Sequence, residues 1–383
     1  MKQVENVLLA LVRTAISGDS IDLDEQLSDE VLNGVLELAG QHSLAPLVLD
    51  TLLKYNLISD KELAESCRGV LFASVVQQQR QSYEQKKISE IFEESQIPYI
   101  HLKGSVMRNY YPEPWQRTCC DVDVLVKSED LEKARHKLEE NGYKFYVRGS
   151  HDVSMFSASG INVELHYHTI EKERAGNSNQ VLDDIWSYAK SKSDGYEYEL
   201  FDEMFYFYHV AHMAKHFENG GCGVRSFIDL WILNHKIKFE PKKREELLKN
   251  GDLLKFAKEA EKLSEIWLSE KESNPFSDML SDFILSGGVY GSLTNIVAIH
   301  QQKKGGKGRY MLWRIFQPYD VIKVQFPVLQ RHKWLLPFVE VYRWFKVVLG
   351  SRFKRSLKEI KANSDMSQEA QIAAQGLLNR LGL

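Results

Sequence analysis

Apolar positions in the first ninety-odd residues recur at steps of three and four. Val4, Leu8, Leu9 and Val12 form one stripe, and Leu32, Val35, Leu36 and Leu38 form another behind Ser28, whose hydroxyl suits an N-cap. From Asp60 to Glu94 the pattern runs on with Gly69 as its one glycine and no proline. Residues 1 to about 95 therefore read as helix throughout. Pro98 ends that regime, and the period shortens to two in Tyr99-Ile100-His101-Leu102, a strand.

Between 98 and 170 the two periods alternate. A strand at 99–102 is followed by a short helix over 105–110, a strand at 120–126 and a helix from 128 to about 141 that opens on Glu129 and Asp130 and closes at Gly142. Strands follow, among them a hairpin: Asp152–Phe156, the turn 157–160, and Ile161–His166. The expected product is a mixed sheet of four or five strands with helices on one face. After 200 the helical period returns, from Asp202 to about Phe217, then from Val224 to Ile237 beyond the break at Gly220-Gly221, with further helices over 241–304 and 308–383. Lys303-Lys304-Gly305-Gly306-Lys307-Gly308 is the linker candidate. The fold class is α+β, a small mixed-sheet core flanked by N-terminal and C-terminal helical regions. Its expected divisions are a helical region 1–95, a catalytic core 96–200, a helical domain 201–304 completing the cleft, and a basic, aromatic-rich helical region 305–383.

Composition adds little except in two places. The 383 residues are 43% hydrophobic and 27% charged, ordinary for a globular chain. Four cysteines without a Cys-x-x-Cys spacing give no disulfide or zinc framework and suit a reducing compartment. The first residues lack a signal-peptide pattern, and no run of about eighteen apolar residues is present, so a cytoplasmic location is expected. The net charge of -4 hides an asymmetry: residues 302–361 carry fifteen Lys/Arg against three acids, a balance of +12, interleaved with eleven aromatics. That segment is either a solvated basic face around an aromatic core or a contact surface for nucleic acid or an anionic membrane.

The candidate chemistry sits in the alternating region. Asp121-Val122-Asp123 within an apolar strand sends both carboxylates to one face and Val122 with Val124 to the other. Glu164 supplies a third acid if the second hairpin strand lies beside the Asp strand, because it alternates in phase with Asn162 and His166. Three convergent carboxylates are the minimal scaffold for two divalent cations, and oxygen ligands beside phosphates favour Mg2+ or Mn2+ over zinc. Upstream, the turn Gly104-Ser105 offers backbone N–H groups and a hydroxyl to a triphosphate. Lys103 is either a triphosphate contact or a solvated strand-end charge, and Arg117 either pairs with acids or phosphates or is a plain loop arginine. His209, His212 and His216 share one helical face, as zinc ligands, a polar stripe on a cleft, or histidines without chemistry. Arg225 and Asp229 are spaced for an intrahelical ion pair; otherwise Arg225 faces nucleotide or acceptor. His166 and His168 fall in phase with Glu164 and share its face.

Gly104-Ser105, Asp121-x-Asp123 and the later strand acid resemble the polymerase-beta-like nucleotidyltransferase superfamily. More narrowly, Leu102-Lys103-Gly104, Tyr111-Pro112, Arg117, Asp121–Val126, Val163-Glu164-Leu165-His166, the histidine helix, Val224–Leu230 and Gln41–Leu47 look like a bacterial family of uncharacterised nucleotidyltransferases, over roughly residues 30 to 350. The resemblance implies a magnesium-bound nucleoside triphosphate such as ATP, metal ligation by Asp121, Asp123 and Glu164, and β- and γ-phosphates held by Gly104 and Ser105. Lys103, Arg117, His212 and Arg225 are the further nucleotide-binding candidates. One departure is a longer connection from Ser105 to Asp121, with Pro112, Glu113 and Pro114 in a loop.

The leading expectation is an enzyme, a metal-dependent nucleotidyltransferase moving a nucleoside monophosphate from an NTP to an acceptor (small molecule, saccharide, peptide or protein) with release of pyrophosphate. The alternative is a catalytically silent nucleotide- or RNA-binding protein on the same scaffold, using residues 302–361. A third is peripheral attachment to an anionic membrane through the same segment.

Overall fold

Seven strands hydrogen-bond into one mixed sheet in the computed structural model, which describes residues 2–18, 27–170, 177–289, 291–326, 328–350 and 353–383. They are β1 (Tyr99–His101), β2 (Asp121–Val126), β3 (Lys144–Arg148), β4 (Asp152–Phe156), β5 (Asn162–His166), β6 (Ala189–Ser191) and β7 (Glu197–Leu200), in the order β3-β4-β5-β2-β1-β7-β6. The β4/β5 hairpin forms as expected, antiparallel, and β5 lies parallel to β2 in the centre. The sheet is wider than the four or five strands read from the pattern. The extra pair is β6 and β7, whose Ala189-Lys190-Ser191 and Glu197-Tyr198-Glu199-Leu200 carry too little apolar alternation to announce strands and form by pairing with one another and with β1.

Helices cover both faces of the sheet centre, correcting the expectation of one. Val122, Val124 and Val126 of β2, with Val163 and Leu165 of β5, pack against Ile88 and Phe92 of helix Lys61–Glu94 and Leu131, Ala134 and Leu138 of helix Leu131–Glu140. On the opposite side Ile100, Leu102 and Leu125 join the large helical core that contains Met204, Tyr208 and Phe227. The alternation that buries three valines on one side thus delivers Asp121 and Asp123 to a crevice between the sheet and the second helical layer.

Among the described residues the N-terminal region holds four helices, Lys2–Ser17, Asp29–Gln41, Ala45–Lys54 and Lys61–Glu94. Ser28 caps the second, accepting from the Val31 N–H at 3.3 Å, and Asp60 caps the fourth. The expectation of helix throughout 1–95 is interrupted at 42–44 and 55–60; residues 19–26 lie outside the described residues. Helix Asp202–Phe217 and helix Val224–Lys236 match the boundaries read from sequence within a residue. The 303–308 stretch is a tight corner: Gly305 and Gly306 take φ of 78° and 113°, and the helices on either side bury Val297, Ile299 and Tyr310 in one cluster. The last helix, Gln368–Leu381, returns to the main core through Leu377 and Leu381.

Candidate active site

A cleft of about 360 Å³ opens between the sheet and the second helical layer. Its floor is β2 and β5, which run parallel in a register that sets Asp123 opposite Glu164 and Asp121 opposite Asn162. Asp121, Asp123 and Glu164 all line the cleft. Asp123 is buried, whereas the Glu164 side chain keeps 26% of its surface open.

The acids are unevenly compensated. Lys103 Nζ lies 2.8 Å from Asp123 Oδ1, and His166 Nε2 lies 2.8 Å from the same oxygen and 3.5 Å from Glu164. Burial opposes ionisation of Asp123, but Lys103 and His166 outweigh it and hold the carboxyl well below the ordinary range. Burial disfavours the Lys103 ammonium as well, and the Asp123 carboxylate, helped by Glu164, holds it charged. Asp121 is left with the poorer bargain: burial first, then the like charges of Asp123 and Glu164, push its carboxyl up to about 6. Its neighbour on the other side is the Cys119 thiol, 3.4 Å from Oδ1 and itself raised to about 11 by burial and by Asp121. A crowd of carboxylates whose mutual repulsion shows in this way is a donor set suited to a hard divalent cation. The tightest grouping, with ligand atoms within 4.8 Å of one another, is Asp123, Glu164 and His166. The sequence reading paired Asp121 with Asp123 and Glu164; the fold brings all three to the cleft and adds His166, two residues beyond Glu164 on the same strand face.

Lys103 reaches the acids because its backbone is bent into the left-handed region, φ 46°, between β1 and the short helix Gly104–Met107. Gly104 is compelled by the same turn: a Cβ there would sit 2.3 Å from Cys119 Sγ and 3.0 Å from Arg117 Nη1. Gly104 lines the cleft, while Ser105 is buried behind it, its Oγ lacking a hydrogen-bond partner. Beneath the turn Arg108 donates to the Gly104 carbonyl at 3.1 Å and to Gln81 at 3.1 Å, and Gln81 donates to the Cys119 carbonyl at 2.8 Å. This buried brace ties the Gly-Ser turn to the approach of β2. The loop containing Pro112, Glu113 and Pro114 is ordered by a reciprocal cap between Glu113 and Gln116.

The opposite wall is helical. Asp229 does not pair with Arg225, as their spacing allowed; it holds Arg117 through two bonds of 2.9 and 2.7 Å and accepts from Tyr111 Oη at 2.8 Å. Arg117 is thereby fixed at the cleft edge, its guanidinium engaged by Asp229. Arg225 instead donates to the carbonyl and hydroxyl of Thr118, at 2.9 and 3.0 Å. Tertiary approach of the β2 loop offers both Arg225 and Asp229 better partners than each other on their own helix. His209, His212 and His216 all line the cleft; His209 contacts the Ser226 carbonyl at 3.0 Å, and the His212 and His216 rings stand edge to face at 4.5 Å. Burial holds His209 and His212 below their ordinary pKa, so both rings are neutral near pH 7. The fold sets all three histidines on the cleft wall, where the stripe reading expected them. His168 leaves the site and lines a separate depression with Lys127 and Trp186.

Tyr208 is among the cleft residues that escaped the sequence reading. Tyr208 is buried, lines the cleft, and carries a hydroxyl without a hydrogen-bond partner; burial, together with the charges of the acid group, pushes its pKa up. The signal was present: Tyr208 stands four residues before His212, so extending the histidine stripe by one turn includes it.

The profile of a family described as "uncharacterised nucleotidyltransferase" matches residues 30–268. The chain belongs to this nucleotidyltransferase family. It is accordingly an enzyme of the transferase class, and the matched span holds the acid floor, the Gly-Ser turn, the histidine stripe and the Arg117–Asp229 pair. No curated protein and no solved structure matches the chain.

Proposed function

We propose that this nucleotidyltransferase moves a nucleoside monophosphate from an NTP to a nucleophilic oxygen or nitrogen of an acceptor, with Asp121, Asp123 and Glu164 holding two Mg2+ or Mn2+ ions, on a polymerase-beta-like core. The observation that carries this reading is the β2/β5 register that sets Asp123 against Glu164, with Asp121 one alternation along the same face of the cleft. When bound, the cations neutralise phosphate charge and acidify the attacking group. The chain's own residues do the rest by position and electrostatics. The Gly104 turn and Lys103 meet the β- and γ-phosphates, while Arg225 and the neutral His212 face the nucleotide from the helical wall. The acceptor attacks the α-phosphorus, the bond to the β-phosphate oxygen breaks, pyrophosphate leaves, and Glu164, the more open acid, takes the acceptor's proton.

Three convergent acids, one of them raised to about 6, speak against a silent nucleotide- or RNA-binding scaffold, which has no need of negative charge beside phosphates. The test is incubation with Mg2+ or Mn2+, each α-labelled NTP and a cell extract as acceptor source, reading pyrophosphate release and label transfer. Asp121→Ala and Asp123→Ala should each abolish both signals; turnover unchanged in both variants sinks the assignment.

A further inference from the structure

The C-terminal helices Leu336–Leu349 and Phe353–Asp365 turn an apolar face outward. On the first, Phe338, Val341, Tyr342, Phe345, Val348 and Leu349 follow one another at helical spacing and are all exposed, Phe338 by 66% and Leu349 by 83%. Exposed Trp334 precedes the stripe, and on the second helix Phe353, Leu357 and Ile360 repeat the spacing, also exposed. A soluble surface rarely leaves so continuous a patch uncovered.

Charge identifies what covers it. From 328 to 361 the sequence carries nine Lys/Arg and two acids. Both acids turn inward: Glu340 pairs with Arg343 at 2.7 Å and accepts from the Gln317 N–H, while Glu359 takes Arg314 in two bonds of 2.6 and 2.7 Å. Trp344 donates to the Ile315 carbonyl at 2.9 Å, which fixes the rotation of the first helix and so which face looks out. The exposed cations Arg331, Lys333, Lys346, Lys354, Lys358 and Lys361 therefore border the apolar stripes, with exposed Asp365 set apart at the far end of the second helix. Among the described residues no helix is long and apolar enough to cross a membrane.

We propose that these two helices seat the protein on an anionic lipid bilayer, lying in the interface plane with the aromatic and aliphatic stripe at the acyl boundary and the lysines among the headgroups. Aliphatic Val341, Val348, Leu349, Leu357 and Ile360 contribute nothing to stacking on nucleobases, so the surface suits lipid better than single-stranded RNA. The proposal is independent of the nucleotidyl-transfer reading.

Co-sedimentation of the full chain with phosphatidylcholine vesicles, with and without about one-third phosphatidylserine, tests it. Binding is expected to the anionic vesicles and to weaken with salt. Lys346→Gln, Lys354→Gln and Lys358→Gln should each lower it by about fivefold. Phe338→Ser with Phe345→Ser should abolish it while the melting temperature and circular dichroism stay unchanged, since both side chains are already in solvent. Absence of binding, equal binding to neutral vesicles, salt-sensitive RNA binding in place of vesicle binding, or a dimer that the two phenylalanine substitutions dissociate would each overturn the proposal.

Discussion

Tyr208 and Asp121 are the residues at which the cleft departs most from a relaxed interior. The Tyr208 hydroxyl is buried without a partner, so removing it costs the fold nothing and takes a donor from the cleft. Tyr208→Phe is therefore expected to leave the melting temperature within a degree or two and to lower turnover on the order of 10²-fold, measured by pyrophosphate release. Asp121, raised to about 6, favours its neutral form in the folded protein. Its contribution to stability is complete at pH values below the ordinary carboxylate pKa and is lost as pH rises through 6. A divalent cation reverses that loss: millimolar Mn2+ or Mg2+ should raise the melting temperature by several degrees at about pH 7.5 and hardly at all at about pH 5. Equal shifts at both pH values would remove the carboxylates from cation binding.

The elements that aim these residues are held by buried pairs between segments distant in sequence. Arg117 in the β2 approach and Asp229 in helix Val224–Lys236 form the closest such tie. Asp229→Asn leaves the arginine uncompensated and is expected to cost about 3–5 kcal/mol by denaturant unfolding, more than Arg225→Ala, whose partners at Thr118 are neutral. Asp229 is held below the ordinary carboxylate range by Arg117 against the effect of burial, so this stability is present above about pH 4 and is lost as acid titrates the carboxyl through its depressed pKa. At the Gly-Ser turn, Gly104→Ala drives a Cβ into Cys119 Sγ, with about 1–3 kcal/mol of overpacking and displacement of Lys103 from Asp123 as the result. Activity should fall further than stability alone accounts for. The helices and the β4/β5 hairpin were legible because their periods are strong; β6 and β7 were not, because two short polar segments become strands only when β1 offers an edge.

At the scale of the whole molecule, helices remote in sequence close one core around the cleft. Leu377 and Leu381, over a hundred residues beyond the span that matches the family, pack in the cluster that also holds Leu263 and Phe227. Leu381→Ala is expected to cost about 2–5 kcal/mol and to shift a single cooperative transition; a second, independent transition would show that the last helix folds apart from the rest. By itself the sequence determined on which side of its strand each candidate residue lies, since a period of two admits one assignment once Val122 and Val124 are buried. Candidate ligands and the Gly-Ser turn followed from that. Only the tertiary structure decided their partners: that β5 runs beside β2 with Glu164 against Asp123, that Asp229 takes Arg117 from a loop 112 residues away in preference to Arg225 on its own helix, that Tyr208 lines the cleft, and that buried His166 backs Asp123. Such pairings depend on how sheet and helices pack across long loops, and local periodicity carries no record of contacts that distant in the chain.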